Sequence, residues 1–375
     1  MKHLIVAAAA LLASPAVHSA PARFHVVGVS TTDLGTLGGT EAAAWDINYR
    51  GNIVGWAKTS LGDAHAFLYR AGVMYDVSPT PGKTSYAAAI NGRDEVAGNF
   101  TPDLSIRHAY RWVAGVSYPL NDNDASGGPG NSIAFGISDT GLIAGERWSL
   151  VDYRHSATVW TSDAVYRTLS LPTPAAGSTA KDVNAGAMVV GFDRFDSSAR
   201  RWMLIPSGGH TTDAAPLPDL PATTIYGSRS IEGVNAAGSV AGHIQCCTGL
   251  GTIRRHAWYW DGTSAHSKHL GLLGGGTYSE ADDINNERFI AGYGERIVSP
   301  APAYESAFLY HFDFRFYELP PLSSIHKSCR ALALNERTSS GLIQLVGHCR
   351  DTSDRFRAVR WDVRVMLIPV VGPTP

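Results

Sequence analysis

Charge is scarce in this chain. Of its 375 residues only 17% are Asp, Glu, Lys or Arg, and the two signs nearly cancel to a formal −2. No basic run or stripe exists, so nucleic acid is not an expected partner. The basic amphipathic helix of a membrane-surface protein is missing too. The apolar run Leu4 to Ala13 has ten residues, against the roughly 20 that a spanning helix needs, and no later stretch supplies them, so no membrane span is expected. Helical periodicity is absent beyond the N-terminus. There is no nucleophile elbow, zinc-binding His motif, phosphate loop or Cys-x-x-Cys pair, so neither a cofactor nor a metal is expected. Cysteine is rare, at four residues.

The N-terminus reads as an export signal. Lys2 and His3 form a basic region, the apolar run follows, and Ser14 to Ala20 is a cleavage tract. The cut is placed after Ser19, giving a signal peptide over 1–19 and a mature chain of charge −3 once Lys2 is lost from the −2 total. A secreted or periplasmic location follows, and with it an environment in which cysteines pair.

What the chain has in abundance is turn residues, with 39 Gly and 20 Pro, and one motif that returns. Ala-x-x-Ile-Asn, a short turn and Ile/Val-Val/Ala-Gly occupy 44–55, 87–98, 134–145, 180–191, 231–242, 281–292 and 331–347. The polar turn residues Asn48, Asn91, Ser138, Asn184, Asn235, Asn285 and Asn335 stand 43 to 51 positions apart. A second signature follows each core, as in His65-Ala66-Phe67-Leu68-Tyr69 and His256-Ala257-Trp258-Tyr259-Trp260. Alternating aromatic and β-branched residues of this kind form strands. The first unit therefore holds strands at 42–47, 52–57, 64–69 and 73–77. Asn48-Tyr49-Arg50-Gly51 suits a type I turn, with Asn capping its own backbone and Gly accepting positive φ.

Seven four-stranded units at this period predict an all-β fold, a seven-bladed β-propeller of antiparallel blades. One domain over 20–375 holds repeats at about 36–77, 82–120, 130–170, 176–220, 226–270, 276–320 and 326–369. Residues 24–34 have no unit before them and are expected to pair alongside 361–368, closing the last blade; which of the two lies outermost is open. An open β-solenoid is the structural alternative. The hairpin centre between Tyr49 and Arg50 sets Ala42 opposite Ala57. The equivalent residues of the last unit are Cys329 and Cys349, which are predicted to form a disulfide. Cys246-Cys247 is left as a vicinal disulfide or two thiols.

These stretches resemble the HAF repeat family of bacterial extracellular proteins. The likeness rests on Asp33-Leu34-Gly35-Thr36-Leu37-Gly38-Gly39, Asp46-Ile47-Asn48…Val54-Gly55 and His65-Ala66-Phe67. It spans most of the mature chain and implies an extracellular repeat protein without a known chemistry.

The repeated His65, His108 and His256 read as strand-end holders, because Ser156, Arg201, Ser306 and Arg357 take the same place elsewhere. What varies is the residue after each repeated Gly: Trp56, Asn99, Glu146, Phe192, His243, Tyr293 and His348. Glu146, His243 and His348 are the candidate catalytic residues. Trp56, Asn99 and Tyr293, with Trp148 from a following loop, are the candidate ligand-binding residues. The competing and preferred reading is rim packing, since blade side chains point at neighbouring blades. Asn121 to Gly130 resembles a calcium loop in composition but lacks its later Glu. The leading function is an exported module that binds extracellular carbohydrate or protein. The alternative is a carbohydrate-active enzyme, a lyase or glycosidase, using Glu146 or His243 as general acid or base; an adhesion module with no small ligand is the third. Whether the chain is an enzyme is left open.

Overall fold

The computed structural model describes residues 22–102, 106–120, 130–150, 153–161, 165–169, 177–194, 199–204, 215–216, 229–247, 253–263, 267–298 and 302–369. The signal-like segment and residues 121–129 of the calcium-like loop lie outside these residues, and of Cys246 and Cys247 only the backbone is described.

Seven antiparallel sheets of four strands stand in a ring, a seven-bladed β-propeller. The innermost strands are Gly38–Ile47, Ser85–Ile90, Gly130–Ile137, Ser178–Val183, Arg229–Val234, Gly275–Ile284 and Ser328–Leu334, in blades 1 to 7. Each touches the innermost strand of the next blade, and the last touches the first.

The repeated motif encodes a bulged hairpin. In every blade the register slips by one residue beside the second strand's Gly, as between Ala44 and Asp46 or Ala281 and Asp283. The bulge bends the inner strand and presses its carbonyl onto that Gly. A Cβ on Gly55, Gly98, Gly145, Gly191, Gly242, Gly292 or Gly347 would sit 1.9–2.3 Å from that oxygen. No side chain fits, so the Gly recurs.

The turn residue serves both its own blade and the next. Asn48 Oδ1 accepts the backbone N–H groups of Arg50 and Asn52, at 3.0 and 3.1 Å, and Gly51 takes φ 79°. The amide of Asn48 then donates to the carbonyl of Asn91, Asn91 to Ser138, Asn184 to Asn235, Asn235 to Asn285 and Asn285 to Asn335, all within 2.9–3.2 Å. Ser138 lacks an amide to reach blade 4, and Asn335 turns instead to Gln344. A second stitch lies further out. Ser85, Ser132, Ser178 and Ser279 accept the N–H of Ala66, Ala109, Ala157 and Ala257 in the preceding blade.

The core is divided between the blades. Val54, Ala66, Leu68 and Val77 of blade 1, for example, pack on Ala87, Ile90, Val96 and Tyr110 of blade 2. His65 Nδ1 meets Asp76 Oδ2 at 2.7 Å, joining strands three and four of its blade as a strand holder would.

The last blade closes the ring with both ends of the described chain. Ser328–Leu334, Leu342–Arg350 and Phe356–Pro369 are its first three strands, and Ala22–Asp33 pairs outermost, Thr31 opposite Trp361 and Arg23 opposite Ile368. Cys329 and Cys349 face each other across the first two strands and are bonded.

Candidate functional site

The axis opens on the hairpin face into a cavity of about 240 Å3 lined by all seven blades. Asp46, Asp182 and Asp283 stand on its wall. Each carboxylate accepts the N–H of its own successor and one from the next blade: Ile47 and Ile90 (2.7 and 2.7 Å), Val183 and Val234 (2.8 and 2.9 Å), Ile284 and Leu334 (2.7 and 3.0 Å). Burial pushes all three carboxyls up, Asp182 to about 6 and Asp283 to about 7, against the opposing pull of those bonds. They act as backbone caps. Among the described residues no group of three or more His, Cys, Asp or Glu could hold a metal ion.

The opposite end of the inner strands carries a different surface. A cavity of about 250 Å3 lies across blades 5 to 7, lined by Arg254, Arg255, Thr277, Tyr278, Glu280, Tyr293, Glu305 and Arg330. Glu305 receives Arg330 and Arg350, the latter at 2.7 Å, and the Tyr278 hydroxyl at 3.0 Å. Burial alone would raise its carboxyl, but these donors outweigh it and hold it at about 2. The Arg330 guanidinium lies over the Tyr293 ring, 4.3 Å from its centre. Glu280 pairs with Arg255 and stands opposite Tyr293 across the first two strands of blade 6. Burial, with Asp282 and Glu280 close by, pushes that phenol well above its usual value.

Behind the cavity a polar cluster joins the inner strands of blades 4 to 6. Lys181 meets Glu232 at 2.9 Å, and His243 Nδ1 lies 3.9 Å from Glu232 and 3.6 Å from Glu280. Burial works against the Lys181 ammonium, but Glu232, with Asp282 and Glu146 beyond it, holds it above the ordinary value. Asp282 goes the other way: burial and the charges of Glu232 and Glu280 drive its carboxyl well up. Burial lowers the His243 imidazole more than Glu280 and Glu232 raise it. His243 Nδ1 and Asp282 Oδ2 are both enclosed and without a hydrogen-bond partner. Each group keeps an unpartnered atom, and burial works against the charged form of both.

The seven residues after the repeated Gly are spread over this structure. Glu146, 2% exposed, bonds Arg194 at 2.7 Å and Thr179 at 2.6 Å across the boundary between blades 3 and 4. Burial alone would raise it; His155, Thr179 and Arg194 more than offset that and leave it low. Asn99 is used entirely by Ala134 of the next blade, donating to its carbonyl at 3.1 Å and accepting its N–H at 2.7 Å. Trp56 packs edge-on against Tyr86 and Phe356, and Trp148 stacks on His155 at 4.9 Å. His348 sits opposite Arg330, edge-on to Phe356, and burial with the charges of Arg330 and Arg350 lowers its imidazole to about 3. Tyr293 alone of the seven lines the cavity. His243 and His348 adjoin its wall through Glu280 and Arg330, whereas Glu146 and Asn99 belong to blade boundaries elsewhere.

Sequence reasoning missed Glu280, Arg330, Lys181, Glu232 and Asp282, which lie on inner strands. For Lys181, Glu232 and Asp282 the signal lay inside the motif, in the two positions between its Ala and its Ile, whereas Glu280 and Arg330 stand just before that Ala. The first of the two positions reads Trp45, Ala88, Phe135, Lys181, Glu232, Asp282 and Leu332, apolar in four blades and charged in three consecutive ones.

Solved structures similar to this chain are propellers. Virginiamycin B lyase from Staphylococcus aureus is 13% identical, covering 92% of this chain and 100% of its own, with a TM-score of 0.50. A streptogramin B lyase structure is 11% identical over 91% and 98%, with a TM-score of 0.49. The β-propeller domain of the Trilobed protease from Pyrococcus furiosus is 10% identical over 78% and 98%, with a TM-score of 0.40. At such identities the likeness concerns the fold alone. No protein-family model and no curated protein matches the chain. No helix among the described residues is long and apolar enough to cross a membrane. The Cys329–Cys349 disulfide is compatible with a secreted or periplasmic protein.

Proposed function

We propose that this chain is an exported propeller that binds carbohydrate at the cavity of blades 5 to 7. The observation that carries the reading is the lining itself. Two tyrosines stand among three guanidiniums and two carboxylates in a space the size of a sugar unit rather than of a folded partner. Aromatic faces and fixed polar groups of this kind suit rings that carry both C–H faces and hydroxyls. The leader-like N-terminus, the resemblance to HAF repeats and the disulfide support a place outside the cytoplasm.

A catalytic reading has one observation in its favour. His243 and Asp282 keep unpartnered positions near Glu280, with burial lowering the imidazole and raising the carboxyl. Separated pKa values of that kind mark acid and base roles. Glu146 fits a structural ion pair better than proton transfer.

Purified protein applied to immobilised neutral and acidic polysaccharides, with parallel assays for new reducing and unsaturated ends, separates the two. Retention without products, lost in Tyr293→Ala, is the expected result. Products whose release needs His243 would replace binding with catalysis, and no retention on any polysaccharide would remove the carbohydrate reading.

A further inference from the structure

We infer that the cavity of blades 5 to 7 selects an anionic saccharide, one bearing a carboxylate or sulfate, through Arg254. The inference rests on the carbohydrate reading above and names the class of sugar.

The argument is one of pairing. Of the charged groups in the lining, Glu305 is taken by Arg330 and Arg350, and Glu280 by Arg255. Arg330 is held twice over, by Glu305 and by the face of Tyr293. Arg254 stands on the strand Ile253–Trp260, opposite Cys246, and makes no ion pair or hydrogen bond among the described residues. Three guanidiniums against two carboxylates leave one positive charge, and it belongs to the one unpaired group.

A guanidinium offers a planar fork that matches a carboxylate or sulfate. Tyr278, which is partly exposed, supplies a ring beside it, and Thr277 also lines the space. A neutral sugar would leave the fork facing water. An acidic one would convert it to a charge-assisted pair in a partly enclosed space.

Titration calorimetry with oligogalacturonate and with a neutral galactose oligomer of equal length tests this, using wild type, Arg254→Gln and Arg254→Lys. The expected result is tighter binding of the acidic oligomer, weakened by salt. Arg254→Gln should lower its affinity about 10- to 100-fold, the loss of one charge-assisted hydrogen bond, and Arg254→Lys should restore part of it. Neutral-oligomer binding should fall by less than acidic-oligomer binding does. Equal affinity for both oligomers, untouched by Arg254→Gln, would overturn the anionic selectivity and leave the carbohydrate reading standing. Binding of neither oligomer, nor of a sulfated galactan, would overturn both.

Discussion

The side-chain amide of Asn235 donates to the backbone carbonyl of Asn285, 50 residues further along, at 3.0 Å. Its oxygen meanwhile accepts the N–H of Ser239 at 2.8 Å, inside its own hairpin. One residue thus shapes a turn and joins two blades.

Asn235→Ala removes both bonds from a buried site and should cost about 2 kcal/mol. Ser138→Asn supplies the amide that blade 3 lacks and should add about 0.5–1 kcal/mol. Urea unfolding of the two variants measures both. A stabilised Asn235→Ala, or a Ser138→Asn that destabilises, would contradict the stitch.

The Gly of the second strand is set by contact rather than by turn geometry. Gly292→Ala would place a methyl carbon 2.1 Å from the carbonyl oxygen of Glu280, so the bulge must open. A loss on the order of 3 kcal/mol is expected. Gly72→Ala, where no atom lies within 4 Å but φ is 82°, should cost less. Thermal melts of the pair compare the two mechanisms directly.

The Cys329–Cys349 bond closes a span of 20 residues in the blade that completes the ring. Restraining the unfolded chain over that length is worth roughly 3 kcal/mol. Cys329→Ala with Cys349→Ala should lower the melting temperature, and thiol reductant should lower it in the wild type alone. Equal melting temperatures with and without reductant would show that the bond does not form.

Asp283 gives the stability a pH signature. Its folded value is about 7, against an unfolded value near 4. Protonation therefore favours the folded state, with the benefit complete below about pH 4 and lost as pH rises through about 7. The difference in unfolding free energy between wild type and Asp283→Ala should shrink between about pH 4 and 7 and level off above. His348, lowered to about 3, works in the opposite sense but is common to both proteins and drops out. A difference that does not change with pH would show that the Asp283 carboxyl titrates normally.

The fold was legible because the repeat records backbone demands. Gly at the pressed carbonyl and Asn at the turn are required by geometry, so they return in phase. Phase in turn placed Ala42 opposite Ala57, and by the same register Cys329 opposite Cys349. The surface that could hold a ligand left a fainter mark. Arg254, Glu280 and Arg330 come from three blades, and only Glu280 and Arg330 share a repeat position, each just before the motif's Ala. Their roles depend on pairings made between blades, such as Arg255 with Glu280 or Arg330 with Glu305. A reading that ranks residues by position after the Gly finds Tyr293 in the cavity, and beside it Asn99, which is fully occupied by Ala134. The order of strands in the last blade was open for a similar reason. Ala22–Asp33 and Phe356–Pro369 are both long, apolar and alternating, and only the pairing of the latter with Leu342–Arg350 puts the former on the rim.

That pairing bears on how the molecule is made. A polypeptide that emerges from its N-terminal side delivers Ala22–Asp33 first and its hydrogen-bonding partner Phe356–Pro369 last. For the whole of synthesis the earliest strand has nothing to zip onto, and its Val26 and Val29 stay uncovered. Closure of the circle therefore waits on Phe356–Pro369, a partner far away in sequence and slow to find. A machine that threads the chain across a barrier before its tail arrives would meet a string of blades and never a finished ring.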